Sequence, residues 1–199
     1  MRAYILRQLS GDEFIEYPTI ELPSQKLYST IRNCDQFALI KEWFVTEKVH
    51  GSNFSFIVDT NNAVNFAKRT SLIKDFTKSS FYPKAVHDVV AKYKHAAIEV
   101  RSVVCSMFHQ EGISNDVMQI NIYGELFGGK YTHPDVKQVE KNPIFHEVSY
   151  CPHFDFYAFD VLVTLADGRS TWLLPGELDS ILSACGFPVN AKPLFVGTF

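Results

Sequence analysis

The sequence predicts an α+β fold, dominated by antiparallel strands with helices packed outside. Three observations predict it. Apolar runs of strand length recur at residues 43–58, 118–127 and 154–165. One long stretch, from Pro83 to Gly112, has apolar residues at three- and four-residue steps. No alternation of strand and helix of the kind that builds a parallel sheet connects them.

The elements follow in order. Residues 12–24, punctuated by Pro18 and Pro23, read as an irregular lead-in. Residues 43–58 (WFVTEKVHGSNFSFIV) read as two strands around a turn at His50–Asn53. The second alternates Phe54, Phe56 and Val58 against Ser55 and Ile57. Asn61-Asn62 marks a turn, and 63–69 a third strand. Val86, Val89, Val90, Tyr93, Ala97, Val100, Val104 and Phe108 then share one helix face. Pro83 suits the first turn of that helix and Gly112 its stop. Residues 118–127 form a strand ending in a Gly-rich turn, and 154–165 another strand. A shorter helix runs from about Pro175 to Cys185, closed by Gly186.

The composition suits one domain, or one domain and part of another. Of 199 residues 46% are hydrophobic and 21% charged, enough for a sizeable core and unlike a disordered polymer. The net charge of −3 is unlike that of a globally basic nucleic-acid binder. Residues 62–84 are locally basic: Lys68, Arg69, Lys74, Lys78 and Lys84 face one acid, Asp75, leaving −7 for the rest. Such a strip holds phosphates or is a solvated surface. Four scattered cysteines without a C-x-x-C pair argue against a zinc site or a disulfide framework. A reducing, intracellular compartment is expected, with cytoplasm and mitochondrion both open. No apolar run is long enough to span a membrane. Asn53-Phe54-Ser55 fits a glycosylation pattern, which the lack of a signal peptide discounts.

Four segments carry chemistry. In Glu47-Lys48-Val49-His50-Gly51-Ser52-Asn53-Phe54, a lysine ends an apolar strand just before a glycine turn. A free lysine, with a pKa near about 10.4, is a poor nucleophile at neutral pH. Apolar walls or a neighbouring cation free its lone pair, and glycine lets a ligand approach the backbone. The bland alternative is an ordinary strand-end lysine. In Phe66-Ala67-Lys68-Arg69-Thr70, alternation points Lys68 and Arg69 to opposite faces. Arginine suits a bidentate phosphate or ribose contact, or else a surface pair. In Tyr123-Gly124-Glu125-Leu126-Phe127, a carboxylate sits in an apolar strand and needs a partner: a sugar hydroxyl, a metal or a structural cation. Gly124 to Lys130 mimics a P-loop, but Tyr131 replaces its Ser/Thr and His133-Pro134 blocks the helix that should follow. In Asp155-Phe156-Tyr157-Ala158-Phe159-Asp160, Phe159 shares a face with Tyr157 and Asp155. Such a ring stacks on a base or packs in a core.

In this order and spacing, the segments resemble the adenylyltransferase domain of covalent nucleotidyltransferases, and most of all the RNA ligase 2 family with its kinetoplastid RNA-editing members. EKVHGSNFSF looks like the nucleophile motif, YGELFGGKYTHPDV the third motif, and FDFYAFDV the next; EYPTIEL is also similar. The resemblance covers roughly Glu16 to Phe199. It implies an ATP-grasp-like adenylyltransferase domain over 1–199. Lys48 would take AMP from ATP with magnesium, pass it to the 5′-phosphate of an RNA end, and a 3′-hydroxyl would seal the strand, typically in a nicked duplex. Glu47 and Val49 would bracket adenine and Asn53 would contact the nucleotide. Arg69 would meet the sugar or phosphate, Glu125 the ribose hydroxyl, and Phe159 would stack on adenine. His50 and Lys68 are secondary candidates. No metal ligand or protein partner is assigned.

Two motifs of the family are expected after Phe159: E-G-x-V, which helps bind metal, and K-x-K, which holds phosphates. Neither is found, and Lys192 is the single lysine after Asp160. The expectation is therefore a domain incomplete at its C-terminus, a fragment with an exposed apolar sheet edge. Two other readings stay open. One is a DNA ligase or capping-type enzyme, against which His50-Gly51 with Asn53 weighs. The other is a non-catalytic nucleotide- or RNA-binding module, which the missing lysines favour.

Overall fold

The computed structural model describes residues 5–6, 14–19, 24–33, 40, 42–78, 82, 84–113, 117–137, 143–188 and 190–198. The strands are β1 (Ile5–Leu6), β2 (Trp43–Thr46), β3 (Ser52–Asp59), β4 (Val64–Lys68), β5 (Ser71–Leu72), β6 (Val117–Lys130), β7 (Cys151–Leu165), β8 (Arg169–Trp172) and β9 (Pro193–Gly197). The helices are α1 (Gln25–Asn33), α2 (Lys84–Gln110) and α3 (Pro175–Ala184). No helix is long and apolar enough to cross a membrane among the described residues.

The chain divides into two compact units. Met1–Glu16 and Val49–Ala191 make the first; Tyr17–Lys48 and Lys192–Phe199 make the second. Among the described residues, the first holds a seven-stranded antiparallel sheet in the order β1-β8-β7-β6-β3-β4-β5. The β3–β4 hairpin turns at Asn62, which adopts φ 59°. There, the Asp59 carboxylate accepts from the Asn61 and Ala63 amides at 2.8 Å each.

The core lies between this sheet and α2. The expected helix is present, and its buried positions, Val86, Val90, Tyr93, Ala96, Ala97, Val100, Val104 and Phe108, keep the helical spacing. Pro83 lies outside the described residues. Phe54, Phe56, Leu126 and Phe156 meet α2 from the sheet. Phe156 is the hub: its ring lies 5.1 to 6.2 Å from those of Phe54, Phe56, Tyr93 and Phe187. The fully buried Tyr93 hydroxyl donates to Asp155 Oδ1 at 2.6 Å and ties α2 to β7. Burial and that carboxylate push the phenol's pKa up.

Three local readings change. Residues 43–46 and 52–59 are strands, but they do not pair with each other. β2 pairs with β9 in the second unit, whereas β3 lies between β4 and β6 in the first. The strand expected over 118–127 continues to Lys130. Gly128 and Gly129 take φ 89° and 84°, which glycine tolerates, and the register shifts there, so the pair bulges the strand rather than turning it. In β7 the core face changes phase. Phe154, Phe156 and Ala158 are followed by Val161, Val163 and Leu165, because Phe159 is an extra residue between the Tyr123–Asp160 and Gly124–Ala158 pairs.

The second unit's two strands expose apolar surface: Phe44, Val45, Leu194, Phe195 and Val196 are each at least 40% exposed.

Candidate functional site

Opposed residues of an antiparallel pair point to the same face of a sheet. Asn53 opposes Glu125 across β3 and β6, and Glu125 opposes Tyr157 across β6 and β7. Their neighbours Phe54, Leu126 and Phe156 belong to the core against α2. Asn53, Glu125 and Tyr157 therefore form a row on the other face. Phe159, half-buried on its bulge, joins Tyr157 in a second apolar cluster with Val49, Phe127 and Ala191. That cluster puts Phe159 beside Tyr157, as the alternation expects. Asp155 leaves them, because its carboxylate is engaged by Tyr93 on α2.

The turn after Lys48 lies on this face. A Cβ added at Gly51 would stand 2.1 Å from the Leu126 carbonyl oxygen and 3.0 Å from Glu125 Cγ. Only a glycine lets the turn lie so close to the carboxylate. Gly51→Ala is expected to cost about 1–3 kcal/mol by displacing the turn or the end of β6. Thermal unfolding checks it, and a loss below a few tenths would contradict this packing. Near the same carboxylate, the Tyr82 and Ser52 hydroxyls are 3.4 Å apart. Burial raises the Tyr82 phenol's pKa, the Ser52 hydrogen bond lowers it in part, and the charge of Glu125 adds to the rise.

Lys68 ends β4, and Arg69 lies outside the strand. Lys68 opposes Phe54, so its position belongs to the α2 side of the sheet, away from Asn53. Arg69 is exposed in the two-residue turn that joins β4 to β5 after the Lys68–Ser71 pair. Val49 is buried, and the His50 amide donates to the Tyr150 hydroxyl at 2.9 Å. The division between the two units falls between Lys48 and Val49. Val49, Asn53, Glu125 and Phe159 are thus brought together in the first unit, while Glu47 and Lys48, both exposed, belong to the second.

The RNA ligase family profile matches residues 41–198. The chain belongs to the RNA ligase family. It is 28% identical over 182 residues to the mitochondrial RNA-editing ligase 2 of Trypanosoma brucei brucei, covering 84% of this chain and 41% of that protein. It is 25% identical to mitochondrial RNA-editing ligase 1 of the same organism, covering 100% of this chain and 45% of that protein. The chain therefore spans less than half the length of the curated relatives it matches. An archaeal ATP-dependent RNA ligase shares the fold, with a TM-score of 0.51 and 18% identity over 94% of this chain and 40% of that one.

Among the described residues, no group of three or more His, Cys, Asp and Glu could hold a metal ion. Sequence reading missed Tyr82, Phe145 and Tyr150. No spacing marks them, because each comes to the site through a contact distant in sequence.

Proposed function

We propose that this protein is the nucleotide-binding part of an ATP-dependent RNA ligase, with an ATP-grasp-like adenylyltransferase arrangement in which Lys48 takes AMP from ATP. The observation that carries this reading is the row Asn53–Glu125–Tyr157, with the Gly51 turn laid against Glu125 directly after Lys48. Family membership and the ATP dependence of the archaeal ligase of the same fold support it.

In the proposed first step the Lys48 ε-amine, having lost a proton, attacks the α-phosphate of ATP. A nitrogen–phosphorus bond forms, the bond to the β-phosphate oxygen breaks, and pyrophosphate leaves. An RNA 5′-phosphate oxygen then displaces the lysine, and a 3′-hydroxyl oxygen finally displaces AMP and joins the strands. Asn53 contacts the nucleotide and Glu125 accepts a ribose hydroxyl. Phe159 stacks on adenine beside Tyr157, with Glu47 and Val49 at the base edge. Arg69 meets the sugar or phosphate. Magnesium, when bound with the triphosphate, would neutralise charge as pyrophosphate departs. RNA ends, as in a nicked duplex, are the proposed partner.

The 199 residues contain no K-x-K after Phe159, so few cations counter the triphosphate. Incubation with ATP labelled at the α-phosphate and magnesium is therefore expected to leave a weak, substoichiometric label on Lys48. Rapid stoichiometric labelling would contradict the expected weakness. No label at all, or one on another residue, would defeat the nucleophile reading. A non-catalytic nucleotide- or RNA-binding module is the second reading, and it expects Lys48→Ala to leave biological activity intact.

A further inference from the structure

We infer that residues 143–150 form a strap that positions the turn following the nucleophile, with Tyr150 as the positioning residue; this rests on the reading of Lys48 given above. Residues 49–51 lie between β2 and β3 and in neither strand, so the sheet ladder does not hold their backbone. Tyr150 supplies a partner, its hydroxyl accepting the His50 amide at 2.9 Å from 100 residues away. Phe145 stacks on the His50 imidazole, with ring centroids 5.6 Å apart and planes 17° apart. The same residue is thus held by its backbone and by its side chain, from two points of one segment.

The strap is itself fastened to β6. Lys130 Nζ donates to the His146 carbonyl at 2.9 Å, and the Ile144 amide to the Gly128 carbonyl at 3.4 Å. The Tyr150 ring meets Phe127 edge-on at 5.7 Å, inside the cluster that buries Val49 and takes in Phe159. β6 also carries Glu125. The strap therefore refers the turn to the strand that carries the proposed ribose ligand. Val49 and His50, the two residues after Lys48, are fixed on the first unit. Placement of a reacting group matters steeply: a shift of about 1 Å can cost roughly a hundredfold in rate.

Tyr150→Phe removes one oxygen and keeps the ring against Phe127. In the whole protein, the His50 amide is expected to exchange with solvent about tenfold faster or more. The rate constant for lysyl-AMP formation is expected to fall about 10–100-fold, with the half-saturating ATP concentration within about twofold of the parent. A structural role alone would not split the two kinetic constants in this way. Phe145→Leu, which keeps an apolar contact but loses the stack, should give the same split more weakly.

Unchanged exchange at His50 overturns the strap whatever Lys48 does. Faster exchange with an unchanged lysyl-AMP rate overturns positioning, and so does a rise in half-saturating ATP with the rate constant preserved. A parent protein that forms no lysyl-AMP defeats the Lys48 reading and the positioning with it, while His50 exchange still reports the strap separately.

Discussion

Lys48→Ala is expected to abolish lysyl-AMP formation, lowering its rate by a factor of about 10⁴ or more, as loss of a covalent nucleophile does elsewhere. The effect should be chemical rather than structural. Lys48 is exposed and lies between strands, not within one. The melting temperature should therefore hold within about the change of a surface substitution, roughly 0.5 kcal/mol. Lys48→Arg sharpens the result. It keeps the charge, yet a guanidinium stays protonated and offers no lone pair, so it should be as inactive as alanine. Labelling with ATP carrying a tagged α-phosphate, followed by peptide mapping, reads both variants. Activity retained in the arginine variant would mean that Lys48 supplies charge rather than a bond.

Phe156→Ala is expected to give the largest loss of stability, about 3–5 kcal/mol. The side chain is fully buried and touches four other aromatic rings drawn from β3, α2 and the segment after α3. Its ring also lies where a side chain on residue 124 would be: a Cβ on Gly124 would sit 2.1 Å from Phe156 Cζ. Removing the ring opens a cavity directly behind the β6 segment that presents Glu125. For a chain of this size the loss corresponds to roughly 6–20 °C in melting temperature. Phe156→Leu, which refills most of the volume, should recover more than half of it. Equal losses for both variants would mean that ring packing, not volume, sets the cost.

Much of the face was legible in the sequence because its parts obey local rules. Strand alternation separates Asn53 from Phe54 on the core face, and register brings Asn53 and Glu125 opposite one another. The long helix announced itself by its spacing, since its buried positions have no exceptions among those predicted apart from half-buried Val89. The family likeness drew on the same residues in the same order. What stayed hidden depends on pairings distant in sequence. No local pattern says that β2 prefers β9 to β3, or that Tyr150 accepts from His50. The bulge at Phe159 is equally silent, because an extra residue in a strand leaves the composition unchanged and shifts only the phase. Burial of Ser55 and Ile57 also blurred the alternation of β3, which is covered on both faces.

The pairing of β2 with β9 bears on the order in which the molecule assembles. Trp43 meets Gly197, so the contact closes a loop of about 150 residues, whereas β3–β4 and β7–β8 close through short turns. Contacts of such long range form late, after nearer ones have reduced the chain's freedom. During synthesis β3 through β8 can collect around α2 before residues 193–197 have emerged. The strand leading to Lys48 waits through all of this without its partner. The β3–β8 sheet can thus be complete before the segment that ends at Lys48 has a strand partner.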